Sequence, residues 1–233
     1  MLLVAHRGAP TLATENTLRS VLIGQQLKAD AVEFDVRATR DNVPVLLHDK
    51  TLERFWGRPE RVEELDLAQI RTLSTRFADG VIDTIPTFEE VLDATTLQLV
   101  IDCKSASIIK TIADLLRQRG QFGRSRFVGE PGIMGEVRRI VPDAEIVMSW
   151  AQPEPPPPEL LANVKPNGIN LKWTPENASA YEKIAALGYF IWVWTIDDAD
   201  NARKARDAGV AAIMSNDLEA IAPGVGRGQG EPS

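Results

Sequence analysis

Two histidines, His6 and His48, are the only imidazoles in the 233 residues, and each closes a short apolar run. Leu2-Leu3-Val4-Ala5 leads into His6, and Val43-Pro44-Val45-Leu46-Leu47 leads into His48. Between them, in Ala31-Val32-Glu33-Phe34-Asp35-Val36, two carboxylates alternate with apolar residues and so share one face of a strand. Asp102 and Lys104 repeat that alternation after Leu99-Val100-Ile101, and Arg7 follows His6 directly. Two imidazoles can exchange protons near neutrality. Three carboxylates with no thiolate among them suit a hard cation such as Mg2+ or Ca2+. Arg7 and Lys104 add fixed positive charge beside that cation, a combination suited to a phosphate ester.

These groups can act together only if their strands end at one place. After the first strand comes a loop with Gly8 and Pro10, then Glu15-Asn16-Thr17, which offers capping side chains, Asn16 among them, to a helix from Leu18. The second strand runs on to Asp41-Asn42, read as a two-residue hairpin turn, a register that pairs Asp35 with His48. Residues 51–86 read as an excursion over the site, with a loop at Phe55-Trp56-Gly57-Arg58-Pro59 and a helix over 62–73. Strand and helix signals then alternate to residue 215, and the proline run at 153–158 reads as a stiff loop into a short helix. A helix is expected over 176–187.

Eight strands, leaving the hairpin return aside, with intervening helices in a chain of this length predict an α/β fold, a (β/α)8 TIM barrel. The expected organisation is one catalytic domain over 1–222, a small insertion after the second strand at about 51–83, and a flexible tail over 223–233. In such a barrel, polar groups at the C-terminal ends of strands form the active site.

Composition narrows the function. With 26 basic against 33 acidic residues, interspersed, there is no nucleic-acid footprint and no polybasic patch for stable membrane association. The single cysteine, Cys103, excludes an internal disulfide and reads as a small buried apolar residue. The N-terminus lacks a signal-peptide pattern, so a cytoplasmic enzyme is expected. Oligomeric state is not specified.

The motifs resemble those of the glycerophosphodiester phosphodiesterase family. His6-Arg7-Gly8 resembles its HRG, Glu15-Asn16-Thr17 its ENT, Glu33-Phe34-Asp35-Val36 its E-x-D-V and Val45-Leu46-Leu47-His48-Asp49 its V-x-x-H-D. Ile85-Pro86-Thr87-Phe88-Glu89-Glu90-Val91-Leu92 and Val193-Trp194-Thr195 are similar to further family stretches. The resemblance implies a TIM barrel that hydrolyses a small glycerophosphodiester to glycerol 3-phosphate and an alcohol, using one divalent cation. It implies His6 and His48 as acid and base, Glu33, Asp35 and Asp102 as metal ligands, and Arg7 and Lys104 as phosphate contacts. Trp194 is expected to line the pocket for glycerol or the alcohol, with Trp173 a weaker candidate and Lys172 a solvated lysine.

Three positions depart from the family pattern. Asp102 stands where the family has Glu, so its carboxylate draws the metal inward or reaches it through a water. Asn216 stands in place of the Asp of T-D-x-P, and Asp197 in place of the Asn of V-N-D, changes that bear on substrate detail more than on chemistry. The alternatives are a lysophospholipase D-like lipid phosphodiesterase, favoured by a wide apolar mouth around Phe55, Trp56 and Phe77, and a noncatalytic phosphodiester-binding protein.

Overall fold

The computed structural model describes residues 1–174 and 178–226. Its strands are β1 (Leu2–His6), β2 (Ala31–Ala38), β3 (Pro44–Leu46), β4 (Thr75–Arg76), β5 (Ile82–Asp83), β6 (Gln98–Cys103), β7 (Ser125–Gly129), β8 (Ile146–Trp150), β9 (Gly168–Lys172), β10 (Phe190–Trp194) and β11 (Ala212–Ser215). Eight of them form a parallel ring in the order β1-β2-β6-β7-β8-β9-β10-β11, and β11 pairs back onto β1. Helices cross between consecutive ring strands, so the expected (β/α)8 barrel is the observed fold.

Inside the ring, Val4, Ala31, Val100, Val128, Val147, Trp192, Ala212 and Met214 pack into one cluster that fills the barrel beneath its mouth. Outside it, Phe34, Ile101, Phe127 and Val193 turn the other way and pack against the helices. The two-residue period of each strand thus separates a floor from an outer core. Full burial of each such large side chain is worth about 2 kcal/mol.

Local signals set the helix starts. Thr17 Oγ1 accepts from Ser20 N at the head of α1 (Leu18–Gln26), so Thr17 is the cap and not Asn16. The neighbouring residue is spent elsewhere, as described below. A capping box between Thr87 and Glu90 starts α4 (Phe88–Ala94), and the proline run leads into α7 (Pro158–Val164).

The hairpin differs from expectation by one residue. Val36 pairs with Leu46 and Arg37 with Val45, and Thr39 N donates to Val43 O around a three-residue loop. Asn42 ends that loop at φ 61°, the left-handed position of a three-residue turn. Asp35 therefore lies opposite Leu47, whose N donates to Asp35 O, and His48 sits beyond the end of β3.

The segment after β3 has its own small core, in which Leu52, Trp56, Val62, Leu65, Ile70 and Leu73 pack with Val45, Leu47 and Ile85. Phe55 and Trp56 lie in a helical turn, α2 (Glu53–Trp56), and the helix expected over 62–73 breaks in two. Leu65 is extended so that its side chain reaches this core, and Asp66 then caps a fresh turn, α3 (Leu67–Ile70). α8 (Ala178–Ala185) covers much of the helix expected over 176–187, whose start at Glu176 lies outside the described residues. Residues 223–226 turn against α9 (Ala199–Asp207), where Gly224 O accepts from Arg206 Nη1, and 227–233 lie outside the described residues.

Candidate active site

Strand register assembles the site. β1 pairs with β2 so that His6 lies beside Glu33, and β2 pairs with β6 so that Asp35 lies beside Asp102. His6, Arg7, Glu33, Asp35, His48, Asp102, Lys104 and Trp194 all line one cavity of about 810 Å3 at the C-terminal mouth of the barrel. That volume is ample for a small ligand.

Glu33, Asp35 and Asp102 each place a carboxylate oxygen within 4.8 Å of the others. Glu33 is 3% and Asp35 1% exposed, so three negative charges converge where water screens them poorly. Lys104 Nζ answers part of that charge, 2.7 Å from Asp35 Oδ1 and 2.6 Å from Asp102 Oδ2. Arg7 answers another part, with Nε 3.3 Å from Asp35 Oδ2 and its backbone N donating to Glu33 Oε2 at 3.0 Å.

Protonation follows from this arrangement. Burial alone would raise Asp35, but Lys104 and Arg7 outweigh it and hold the carboxyl down at about 2. Glu33 is pushed well up, by burial first and then by repulsion from Asp35 and Asp102. Asp102 is raised by burial against the opposing pull of Lys104. A buried oxygen-only cluster in which burial and repulsion hold Glu33 back from ionising fits a hard divalent cation, whose charge would relieve that repulsion. Gly129, at φ 145°, leaves room for it, since a Cβ there would come within 3.0 Å of Asp102 Oδ1.

Asp35 is braced from behind. Asn16, at φ 57°, donates from Nδ2 to Asp35 Oδ2 at 2.8 Å and accepts from Asp35 N at 3.0 Å. This two-way clamp is what Asn16 does in place of the capping role expected of it.

Each histidine is held through Nδ1. His48 Nδ1 lies 2.8 Å from Asp49 Oδ1, and its backbone carbonyl accepts from the buried Arg37. His6 Nδ1 lies 2.7 Å from Asn216 Oδ1. Asn216 is held in turn by Asp197, whose Oδ2 accepts from Asn216 Nδ2 at 2.8 Å and whose Oδ1 accepts from Asn216 N at 2.7 Å. The two departures at 197 and 216 therefore meet behind His6, where they bear on the imidazole. A carboxylate only accepts, so Asn216 turns its NH2 to Asp197 and its carbonyl to His6. His6 must then carry its proton on Nδ1 and present a bare Nε2, 3.8 Å from Glu33 Oε2. Burial, and then the charge of Arg7, lower its pKa, which favours the neutral ring.

A chain of ion pairs runs from His48 to Arg7. Arg54 on α2 donates to both oxygens of Asp49 and both of Glu15, and Glu15 Oε1 accepts from Arg7 Nη1. Sequence reasoning missed Arg54 because its role depends on where the inserted segment packs.

Other expectations resolve differently. Trp173 stacks on Tyr181 with ring centroids 5.1 Å apart and donates to Asn201, away from the cavity lining. Lys172 is exposed, and Cys103 is buried with its thiol pKa pushed up by burial. Trp56 lies in the small core, Arg54 sits over the Phe55 ring and Arg19 over that of Phe77, and none of these rings lines the cavity.

Residues 6–220 match the family model of the glycerophosphoryl diester phosphodiesterase family. The chain belongs to the glycerophosphoryl diester phosphodiesterase family. The enzyme class expected from its motifs stands with that assignment. Among curated relatives of this phosphodiesterase is a glycerophosphodiester phosphodiesterase of Caldanaerobacter subterraneus subsp. tengcongensis, 22% identical over 94% of this chain and 96% of that one. A glycerophosphodiester phosphodiesterase of Bacillus subtilis is 34% identical over 40% of this chain and 36% of its own length. Solved structures share the fold. A glycerophosphodiester phosphodiesterase from Agrobacterium tumefaciens superposes with TM-score 0.81 at 23% identity, over 96% of this chain and 99% of that one. An Oleispira antarctica phosphodiesterase in complex with the product sn-glycerol-3-phosphate superposes with TM-score 0.83 at 22% identity, over 97% of each chain.

Proposed function

We propose that the protein hydrolyses small glycerophosphodiesters to glycerol 3-phosphate and an alcohol, with His6 and His48 as the proton-transfer pair and one divalent cation, Mg2+ or Ca2+, held by Glu33, Asp35 and Asp102. The observation that carries this reading is the orientation of His6. Its proton is on Nδ1 and its neutral Nε2 opens beside the carboxylate cluster, the state a general base requires.

The cation, when bound, supplies charge to neutralise the nonbridging phosphate oxygens. Arg7 and Lys104 flank the same point and hold the phosphate between their charges. His6 Nε2 takes the proton of the attacking hydroxyl. His48, held by Asp49 through Nδ1, gives one to the departing alcohol from Nε2. Trp194 contributes to the opposite wall.

A lipid substrate gains no support, because Phe55, Trp56 and Phe77 do not form the apolar mouth it would need. Among the described residues no helix is long and apolar enough to cross a membrane. A cytoplasmic location is part of the same proposal, supported by the lone buried thiol, and cell fractionation tests it.

The test is a coupled assay for glycerol 3-phosphate over a panel of glycerophosphodiesters, with EDTA or with added Mg2+, Ca2+ or Mn2+. Release by wild type and its loss in His6→Ala are expected. No release with any substrate and metal would sink the reading.

A further inference from the structure

β2 carries three charged side chains on its inward face. Glu33 and Asp35 belong to the carboxylate cluster, and Arg37, two residues on, stands about 7 Å further along the strand. Arg37 is itself buried, at 7% exposure. A buried guanidinium is costly unless its N–H groups are bonded, so their partners are informative. Nε and Nη2 both donate to one atom, the backbone carbonyl oxygen of His48, at 3.2 and 2.9 Å. Nη1 donates to Glu63 Oε1 at 3.1 Å.

His48 has need of such a tie. Leu47 N donates to Asp35 O, but His48 stands past the last rung of the β2–β3 ladder. Its side chain is 37% exposed, against 13% for His6, so packing holds it less. Asp49 fixes the turn of the ring through Nδ1, but that bond joins neighbouring residues and would move with them. Two charge-assisted bonds from one planar fork fix both the distance and the direction of the carbonyl. Because Arg37 rises from the strand that bears Glu33 and Asp35, these bonds set His48 against the carboxylate cluster. Glu63 holds the guanidinium from the inserted segment, in the turn Val62–Glu64, whose Val62 is fully buried in that segment's small core.

We infer that Arg37 is a positioning residue, which sets the distance from His48 to the carboxylate cluster and is braced by Glu63 of the inserted segment. The inference rests on the catalytic reading of His48, and it holds whether His48 gives or takes the proton. The segment after β3 then acts on the chemistry through a backbone carbonyl that never touches substrate.

A double-mutant cycle separates this from a structural role. With glycerophosphoethanolamine as substrate, Arg37→Gln is expected to lower kcat by about tenfold with KM within about twofold of wild type, since a small misplacement of a catalytic group is costly. In the His48→Ala background the same substitution should change kcat by less than about twofold, because no imidazole is left to position. Nitrogen NMR reads the same relationship without turnover. The His48 ring signals should shift or broaden in Arg37→Gln while those of His6 hold. If Arg37→Gln does not fold, Arg37→Lys, which keeps the charge but loses the planar fork, carries the same expectations. Equal losses in the two backgrounds, or unmoved His48 signals, overturn the inference. A raised KM with kcat unchanged does so too, and assigns Arg37 to substrate. The broader reading fails separately, if wild type releases no glycerol 3-phosphate from any glycerophosphodiester.

Discussion

Asn216 Oδ1 lies 2.7 Å from His6 Nδ1, across the seam where β11 meets β1. Asp197 fixes the orientation of that amide, and the amide fixes the tautomer of the imidazole. Asn216→Leu is expected to lower kcat by about 10- to 100-fold while changing KM far less. With two histidines in the chain, nitrogen NMR resolves the outcome directly. The Nδ1–H form of His6 should dominate in wild type and become mixed in the variant, and an unaltered tautomer would rule out the orienting role.

Metal binding should stabilise the fold. The carboxylate cluster is complete only in the folded chain, so a cation at 100 times its Kd should add about 2.7 kcal/mol. A rise in melting temperature on adding Mg2+ or Ca2+, lost in Asp35→Asn, is the expected result. Gly129→Ala crowds Asp102 Oδ1 and should weaken the same response. Asp102→Glu is the finer probe: metal affinity unchanged by the longer side chain would show that Asp102 is not a direct ligand.

Arg54 should matter to turnover and hardly at all to stability. Its side chain is 44% exposed, and exposed ion pairs contribute about 1 kcal/mol or less. Yet it steadies Asp49 behind His48 and Glu15 behind Arg7. Arg54→Ala is expected to lower kcat/KM by about tenfold with a melting temperature within about 4 °C of wild type. Equal loss of stability and activity would make the residue merely structural.

Asp83 should tie stability to pH. It accepts from Arg19 through both oxygens and from Thr14 N, joining the end of the inserted segment to α1. Burial would raise its carboxyl, but these hydrogen bonds prevail and hold it below the usual carboxylate range. A carboxyl lowered on folding adds stability above its unfolded pKa and loses it as pH falls through the folded one. Asp83→Asn should therefore cost about 2 kcal/mol in urea unfolding at pH 7, and the gap to wild type should close in acid. A gap independent of pH would contradict the sign.

The site was legible where chemistry follows strand period and obscure where it follows tertiary contact. His6, Glu33, Asp35, Asp102 and Lys104 stand at strand ends because each alternates with apolar neighbours, which a sequence displays directly. The barrel was legible for the same reason. The hairpin register was not, because it turns on whether Asn42 adopts a left-handed backbone and lengthens the loop by one residue. Asn16 resembles a cap in sequence, but Thr17 takes that place and leaves Asn16 to clamp Asp35. Trp173 alternates like a pocket residue, yet Tyr181 and Asn201 offer it partners outside the barrel. Asn216 and Asp197 were visible only as departures from a motif, since nothing local shows that they lie behind His6.

The partners His6 and Asn216 are separated by 210 positions along the chain. A growing polypeptide could bring Glu33, Asp35 and Asp102 together once its first half had emerged, whereas His6, the proposed base, stays unoriented until β11 has been made and docked beside β1. The orientation of His6 is then acquired after the carboxylate cluster is, and turnover should report closure of the ring more strictly than cation binding does.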